Sequence, residues 1–221
     1  MRHGLFVTGT DTGVGKTVTC AALLCRFRQA ASLRYWKPVQ TGIEQDDDTA
    51  EVRRLAECRA DEVFDEGIRL PRPVSPHLAA RWAGQTIVLD DLTGRIGAQP
   101  GPVRWIVEGA GGVLVPLNDT ELMIDLMRAL ALPVLVVSRA ELGTINHTLL
   151  TLEALRARSL SVAGVVMVGA RNPENRAAIE HYGAVPVLGE MPVWEALDAG
   201  SLAAWAASEL DPEGRLLGYL Q

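Results

Sequence analysis

A glycine-rich segment near the start of the chain carries the most specific chemistry in this sequence. It reads G-T-D-T-G-V-G-K-T from Gly9 to Thr17, between a run that predicts a strand and a run that predicts a helix. Glycines let successive backbone N–H groups turn toward phosphate oxygens, and a helix N-terminus adds about half a positive charge. We therefore predict a nucleoside triphosphate site, with Lys16 at the β- and γ-phosphates and the Thr17 hydroxyl on Mg²⁺.

This loop departs from the strict spacing G-x-x-x-x-G-K-T at its front. That spacing requires a glycine at position 10, where the chain has Thr10, whereas the back half from Gly13 to Thr17 is intact. A glycine-rich turn with an incidental lysine and threonine is the alternative. The coincidence of strand, glycines, lysine, threonine and helix favours phosphate binding.

Two acidic positions are candidates to complete a metal site, because Mg²⁺ prefers several oxygen ligands and Thr17 alone is insufficient. Glu108 ends an apolar, strand-like run and precedes Gly109–Gly112. A carboxylate at the carboxyl end of a central parallel strand faces the crevice where such sheets bind ligands. The run Asp46–Asp48 begins a predicted helix. Acidic residues are favourable at a helix N-terminus, which explains at least one of the three without a metal. We predict Asp48 as the second carboxylate, with either of its two neighbours as the alternative.

The choice of basic residues draws attention to a second lysine. Of 21 basic residues only Lys16 and Lys37 are lysines, and a lysine is a compact point charge where arginine is a wide planar fork. Lys37 closes a predicted strand, and Pro38 then directs the chain out of it. At that sheet edge a lysine would neutralise an anionic nucleophile facing the γ-phosphate. We predict Lys37 and Lys16 as catalytic; an ordinary surface lysine at position 37 is the alternative.

Short apolar runs alternate with longer runs of helical periodicity along the whole chain. The strand-like runs are 4–8, 33–39, 103–108, 134–138, 162–168 and 185–188, and the helical runs are 16–29, 48–57, 77–83, 122–131, 147–158 and 174–182. Several strand-like runs are apolar without alternation, which is typical of a parallel sheet covered on both faces. The order predicts an α/β fold, a doubly wound, mainly parallel sheet flanked by helices, of the P-loop NTPase type. We expect one domain over residues 1–221, with a loose tail or lid at 211–221.

Composition restricts the class of partner. The net charge is −6 and no basic run occurs, which argues against nucleic acid and membrane surfaces as partners. The longest apolar stretches are far shorter than the roughly 20 residues of a membrane span. The three cysteines show no metal-type spacing, and no signal-peptide pattern opens the chain, so a cytoplasmic location is expected.

Several segments taken together resemble the dethiobiotin synthetase family. In chain order they are Val7–Thr17, Lys37–Gly42, Asp48, Ser75–His77, Val107–Gly112, Leu142–His147 and Leu188–Pro192. They run in order over nearly the whole chain and are specific as a set, although no single one would be sufficient.

The resemblance implies an ATP-dependent cyclo-ligase of biotin biosynthesis. One amine of 7,8-diaminopelargonic acid captures CO₂, supplied from bicarbonate, to give a carbamate. The carbamate oxygen attacks the γ-phosphate, and the other amine then closes the cyclic urea of dethiobiotin and expels phosphate. The resemblance also implies Mg²⁺ as cofactor and a homodimer with its substrate site at the subunit interface.

The resemblance assigns the remaining site residues by position. Lys37 would stabilise the carbamate and the transferring phosphoryl group, and Thr17, Asp48 and Glu108 would hold Mg²⁺. The nucleotide would contact Thr12, Gly13, Val14, Gly15, Lys16, Thr17, Val18, Asp48, Glu108, Gly109, Ala110, Gly111, Pro192, Val193 and Trp194. The substrate would contact Thr41, Gly111, Gly112 and, across the interface, Gly143, Thr144 and Asn146, which open a helix suited to a carboxylate.

Two positions differ from the family pattern. Gly13 stands where many members carry Glu, and Val168 aligns with the family's base-contacting Asn, with Asn172 four residues later. We therefore expect GTP or CTP to be accepted better than by a strict ATP enzyme.

Other P-loop enzymes are the alternatives. Partitioning ATPases and the nitrogenase iron protein carry a signature lysine near the front of the loop, where this chain has Asp11. Amidoligases of the cobyrinic-acid type add a glutaminase domain, for which 221 residues leave no room. A small-molecule kinase would form a phosphorylated product, whereas the ligase releases phosphate only when bicarbonate is present.

Overall fold

The computed structural model describes residues 3–99 and 103–220 of the chain. Within these ranges the strands are β1 His3–Gly9, β2 Leu33–Trp36, β3 Val39–Thr41, β4 Val63–Phe64, β5 Ile68–Leu70, β6 Arg104–Gly112, β7 Val134–Arg139, β8 Val162–Val168 and β9 Val187–Met191. The α-helices are α1 Lys16–Phe27, α2 Asp48–Leu55, α3 Pro76–Trp82, α4 Leu89–Gly97, α5 Met123–Leu130, α6 Thr144–Arg156, α7 Pro173–Gly183, α8 Ala199–Ser208 and α9 Leu217–Leu220. A short 3₁₀ helix, Ala60–Glu62, precedes β4.

Seven of these strands form one parallel sheet in the order β4-β2-β6-β1-β7-β8-β9. From β1 the chain passes outward on one side through β2 to β4 and returns to β6, which lies between β2 and β1. It then passes outward on the other side through β7, β8 and β9. Ligands of such sheets bind outside the carboxyl ends of the strands, at the point where the winding direction reverses. The loop that follows β1 lies at that point, and the predicted doubly wound parallel fold is confirmed.

Both faces of the sheet are covered, which explains the apolar runs without alternation. On β1, Leu5 and Val7 pack into a buried cluster with α1, α2, α8 and α9. Phe6 points to the opposite face and packs with α3, α4, α5, α6 and α7. Each central strand therefore supplies side chains to two cores.

The strand expected at 33–39 is shorter, and this difference shapes the site. The strand ends at Trp36. The next two residues, Lys37 and Pro38, leave the sheet, and Val39 then begins β3, which pairs with β5 in a separate two-stranded parallel sheet. Proline has no N–H to donate to the ladder of the main sheet. The chain therefore turns at Lys37, which places its side chain at the carboxyl edge of β2.

The C-terminal segment expected to be loose is packed wherever the structure describes it. Leu210, Leu216 and Leu220 are fully buried in the core on the α1 face. The two carboxylate oxygens of Asp211 accept from the backbone N–H groups of Arg215 at 2.9 Å and Leu216 at 2.7 Å. The expectation of a loose tail is wrong for residues 211–220, and Gln221 lies outside the described residues.

None of the helices in the described ranges has the length and apolar character that crossing a bilayer requires.

Candidate active site

The loop between β1 and α1 has the backbone that phosphate binding needs. Gly13 and Gly15 adopt left-handed conformations, with φ of 69° and 98°. A Cβ at Gly9 would lie 2.7 Å from Val14 Cγ2 and 2.8 Å from the Asp11 carbonyl oxygen, so the turn closes only with glycine at position 9. This close approach therefore requires glycine at position 9, and the turn is compatible with a threonine at position 10.

The helix end that follows is open toward a ligand. Gly15 is the N-cap of α1 and offers no side chain to its first turn, so the early N–H groups keep their capacity to bind an anion. The Lys16 ammonium donates to the Asp11 carbonyl oxygen at 2.9 Å, folded back over the loop. Burial, followed by the nearby Lys37 charge, lowers the pKa of Lys16 from its ordinary value.

Three oxygen-bearing side chains converge beside this loop. The Thr17 hydroxyl lies 2.9 Å from Asp48 Oδ1 and 3.0 Å from Glu108 Oε1. Thr17 comes from the first turn of α1, Asp48 from the first residue of α2 and Glu108 from the buried interior of β6. A threonine hydroxyl has one proton to donate, so the two carboxylates share it.

Lys37 lies between the same two carboxylates. Its Nζ is 2.6 Å from Glu108 Oε1, 2.6 Å from Asp48 Oδ2 and 3.2 Å from the Gly109 carbonyl oxygen. Burial alone would lower the pKa of Lys37, but the two carboxylates outweigh it and the net pKa is raised. Burial would likewise raise the pKa of Asp48, but the Lys37 charge and its hydrogen bonds bring it below its ordinary value. Lys37 and Asp48 are therefore both charged at neutral pH.

Of the three consecutive aspartates, the structure brings Asp48 to this cluster. Asp47 instead caps α2 by accepting from the Ala50 N–H at 3.1 Å, and it pairs with Arg69 at 2.5 Å. The backbone carbonyl of Asp46 accepts from the Gln40 side-chain amide at 2.9 Å. Capping and pairing thus account for the Asp47 carboxylate, whereas the Asp46 contact is made by its backbone.

The donor set fits a hard divalent cation. Thr17, Asp48 and Glu108 present oxygen only, which is what Mg²⁺ prefers. No group of three His, Cys, Asp or Glu side chains suited to a metal occurs among the described residues. An ion at this cluster would therefore complete its coordination with phosphate oxygens and water. The Lys37 ammonium between the carboxylates demonstrates that they attract positive charge.

A cavity of about 980 Å³ opens in front of these residues. Its lining includes most of the predicted site: Thr12, Gly13, Gly15, Lys16, Thr17, Val18, Lys37, Thr41, Asp48, Glu108, Ala110 and Gly111. The volume is at the upper end of the range typical of small-molecule sites, enough for a triphosphate and a small second substrate together. Three other predicted residues are not among the lining residues. The Val14 side chain is buried, the Gly109 carbonyl oxygen accepts from Lys37, and Gly112 is the register partner of Gly9 on β1.

Comparison with known proteins identifies the family. The family model described as an AAA domain matches residues 3–201. The chain is 48% identical over 201 residues to an ATP-dependent dethiobiotin synthetase of Paramagnetospirillum magneticum, covering 91% of this chain and 93% of that protein. This chain belongs to the dethiobiotin synthetase family. A dethiobiotin synthetase of Brucella ovis is 46% identical over 202 residues, covering 91% of this chain and 92% of that protein.

Further matches are consistent with this assignment. A biotin biosynthesis bifunctional protein of Bordetella avium is 47% identical over 205 residues, which are 92% of this chain and 42% of that longer protein. Among solved structures, a ParA family ATPase of Chlorobium tepidum matches with a TM-score of 0.58 and 9% identity, over 93% of this chain and 98% of that one. The septum site-determining protein MinD of Pyrococcus horikoshii matches with a TM-score of 0.58 and 16% identity, over 93% of this chain and 95% of that one. These structural matches show a shared P-loop fold alone.

The segment Pro192–Trp194, expected to contact the nucleotide, lies beyond the end of β9. Val193 is 76% exposed, and the Trp194 ring packs edge-on against Trp205 at 6.4 Å. This segment is outside the described lining of the cavity. Met191, immediately before it, lies beside Gly15 together with Val168. A nucleotide on the loop would therefore have apolar side chains next to it on this side.

Asn172 does not replace the amide that the family pattern places at position 168. Its side-chain oxygen accepts from the Asn175 N–H at 3.0 Å and caps α7, while its backbone N–H donates to Glu190 at 3.1 Å. The Asn172 oxygen is thus committed to the helix.

The segment expected at a subunit interface lies outside the cavity of its own chain. Gly143 and Asn146 at the start of α6 are exposed, and neither they nor Thr144 belong to the described cavity lining. Thr144 is buried and its hydroxyl donates to the Arg139 carbonyl oxygen. Leu142, immediately before, is fully exposed at 104%.

Sequence reasoning missed two residues that contact the site. Tyr35 is fully buried and its hydroxyl donates to Glu108 Oε2 at 2.8 Å. Arg139 contacts the front of the loop, donating to the Thr12 carbonyl oxygen at 3.3 Å and lying 3.4 Å from Asp11. Period-two alternation puts the Tyr35 and Lys37 side chains on one face, a signal that was readable in the sequence. The position of Arg139 depends on strand order and had no such signal.

Proposed function

We propose that this chain is an ATP-dependent dethiobiotin synthetase, a cyclo-ligase that converts 7,8-diaminopelargonic acid and CO₂ to dethiobiotin in biotin biosynthesis. One observation carries the proposal: the buried Lys37 ammonium and the phosphate loop open into the same cavity. A reaction that joins a carbamate to a γ-phosphate needs a cation between two anionic partners, because its catalysis rests on positioning and charge.

The loop and its acidic neighbours would bind the nucleotide. The backbone N–H groups at the start of α1 and the Lys16 ammonium would hold the β- and γ-phosphates. Thr17, Asp48 and Glu108 would hold Mg²⁺, which when bound neutralises charge on the phosphate oxygens. Lys37, which pairs with both of these carboxylates, also lines the cavity and would face the second substrate there.

Lys37 would act on the carbamate. An amine nitrogen attacks CO₂ and loses a proton, leaving a carbamate with its negative charge on oxygen. Lys37 would hold that oxygen toward the γ-phosphorus and offset the charge as the P–O bond to ADP breaks. The second amine then attacks the carbonyl carbon of the carbamic-phosphoric anhydride, closes the ring and releases phosphate. Thr41, Gly111 and Gly112 line the same side of the cavity or adjoin it, where they would contact the diamine.

We further propose a cytoplasmic homodimer in which the start of α6 completes the substrate site of the partner subunit. Two observations support this. Gly143 and Asn146 are exposed and remote from the described lining of their own cavity, and the fully exposed Leu142 adjoins them. A contact between subunits at this position would remove the Leu142 side chain from water, which is favourable for an apolar group. Sedimentation equilibrium of wild type and Leu142→Asp tests this, and a monomeric wild type would contradict it.

The activity is tested by phosphate release with ATP, diaminopelargonic acid and bicarbonate, each omitted in turn. We expect release to require all three, and release without the diamine would contradict the proposal. Lys37→Arg should keep nucleotide affinity but lose turnover by orders of magnitude, because the planar guanidinium cannot replace a point charge between converging oxygens. Arg59→Lys, a swap at an exposed side chain away from the cavity, is the matched control and should turn over normally. Normal turnover by Lys37→Arg would show that the assigned role is wrong.

A further inference from the structure

We propose that Tyr35 is a positioning residue for the metal ligand Glu108. Its phenol O–H holds one carboxylate oxygen so that the other faces Thr17, Asp48 and the metal position. This inference rests on the proposed function, since it concerns the same carboxylate cluster. Tyr35 lies just before the Lys37–Gly42 segment and is not part of that motif.

The sheet itself brings the two side chains together. Tyr35 on β2 is the register partner of Ile106 on β6, and Glu108 lies two residues beyond Ile106. Residues two apart on a strand point to the same face, so Tyr35 and Glu108 project into the same core from adjacent strands. The phenol oxygen lies 2.8 Å from Glu108 Oε2, and both side chains are buried.

The two carboxylate oxygens of Glu108 have separate partners. Oε1 accepts from Thr17 at 3.0 Å and from Lys37 at 2.6 Å, on the cavity side. Oε2 accepts from Tyr35, on the core side. The terminal torsion of a glutamate is soft, so a carboxylate tied at one oxygen only would rotate. Tyr35 therefore fixes the plane of the carboxylate and keeps Oε1 directed at the cavity.

Tyr35 is suited to this task because its phenol hydroxyl carries one proton to donate, and the geometry directs that proton at Oε2. Loss of the hydroxyl would remove the O–H donor that holds Oε2. Glu108 would then turn toward its remaining donors, Thr17 and Lys37, at the expense of the metal.

The experiment compares Tyr35→Phe with wild type. The change keeps the ring and removes only the hydroxyl, and Tyr182→Phe, at a 71% exposed tyrosine, is the matched control. Binding of Mn²⁺ to the protein–ADP complex is followed by electron paramagnetic resonance, a readout that needs no turnover. Partners of metal ligands typically change metal affinity by about 10–100-fold when removed, so we expect the Kd for Mn²⁺ to rise about tenfold or more. Metal-free ADP affinity should be unchanged.

The Glu108→Gln background shows whether Tyr35 acts through Glu108. There the buried charge is gone, so adding Tyr35→Phe strands no carboxylate and leaves folding intact, and the added loss of Mn²⁺ affinity should be below about twofold. Equal losses in both backgrounds, or a wild-type Kd in Tyr35→Phe, would overturn the proposal. A purely structural role would lower the melting temperature and leave Mn²⁺ binding unaffected. Because none of these readouts uses the diamine, failure of the proposed ligase activity would be seen separately, in the phosphate-release assay.

Discussion

Replacing Lys37 by methionine tests the charge balance of the site without any substrate. Lys37 is the cation between Glu108 and Asp48, and Glu108 is only 1% exposed. Methionine fills similar space but carries no charge, so it leaves a carboxylate buried among the remaining donors Thr17 and Tyr35. Removing one partner of a buried pair costs about 3–5 kcal/mol, because the other charge is left uncompensated.

Two neutral donors limit this cost. Thr17 donates to Glu108 Oε1 at 3.0 Å and Tyr35 donates to Oε2 at 2.8 Å, and both remain in the variant. In the wild type the pKa of Lys37 is raised and that of Asp48 lowered, so the pairing that the variant loses is fully charged at pH 7. We therefore expect a loss at the lower end of that range, about 3 kcal/mol.

Urea unfolding of both proteins at pH 7 measures the effect. A loss of about 3 kcal/mol corresponds to roughly 6–12 °C in melting temperature for a chain of this size. The matched control is Lys37→Met combined with Glu108→Gln, which removes the stranded charge and should be more stable than Lys37→Met alone. A loss below about 1 kcal/mol, or a double variant less stable than Lys37→Met, would refute the reasoning.

Three further outcomes follow from the structure. Asp47→Ala should lower the free energy of unfolding, measured in urea, by about 1 kcal/mol because the α2 cap is lost. Partial burial would raise the pKa of Asp47, but Arg69 and the cap lower it below its ordinary value. The stabilisation by Asp47 should therefore be lost only as the pH falls below about 4. Leu216→Ala should cost about 2–5 kcal/mol, since the side chain is fully buried, and a loss below about 0.5 kcal/mol would mean a loose segment. In steady-state assays GTP and CTP should give kcat/KM within about 100-fold of ATP, because apolar Val168 and a committed Asn172 leave little base readout; a larger preference for ATP would contradict this.

The layout of the site was predictable because its residues sit at strand and helix ends. The phosphate loop, Glu108 and Lys37 each directly follow or end an apolar run, and the carboxyl ends of parallel strands share one edge. That rule brought residues 71 positions apart in sequence to a 2.6 Å contact. Only its position in the sequence favoured Asp48 over Asp46 and Asp47 as the aspartate of the cluster. Its neighbour Asp47 has the same charge, and the difference comes from which carboxylate caps α2.

The parts that were missed depend on tertiary contacts. Helix α4 has apolar residues at helical spacing, but Gly94 lies inside it and Val88 gives no capping signal. Helix α8 is an exception, because its sequence does predict a helix: Asp198 is a typical N-cap residue and the segment that follows is rich in alanine. The segment after Leu210 has little periodicity, and it is ordered by the buried carboxylate of Asp211 rather than by a helical pattern.

The scarcity of lysine in this chain now has a geometric explanation at position 37. An ammonium has three donors around one small centre. At Lys37 three acceptors converge on that centre: a Glu108 oxygen, an Asp48 oxygen and the Gly109 carbonyl. An arginine would present a flat fork wider than this buried space, and its donors could not meet three oxygens from different directions. A chain that otherwise prefers arginine therefore keeps lysine where the site demands a point charge, and the same argument explains why Lys37→Arg should lose turnover.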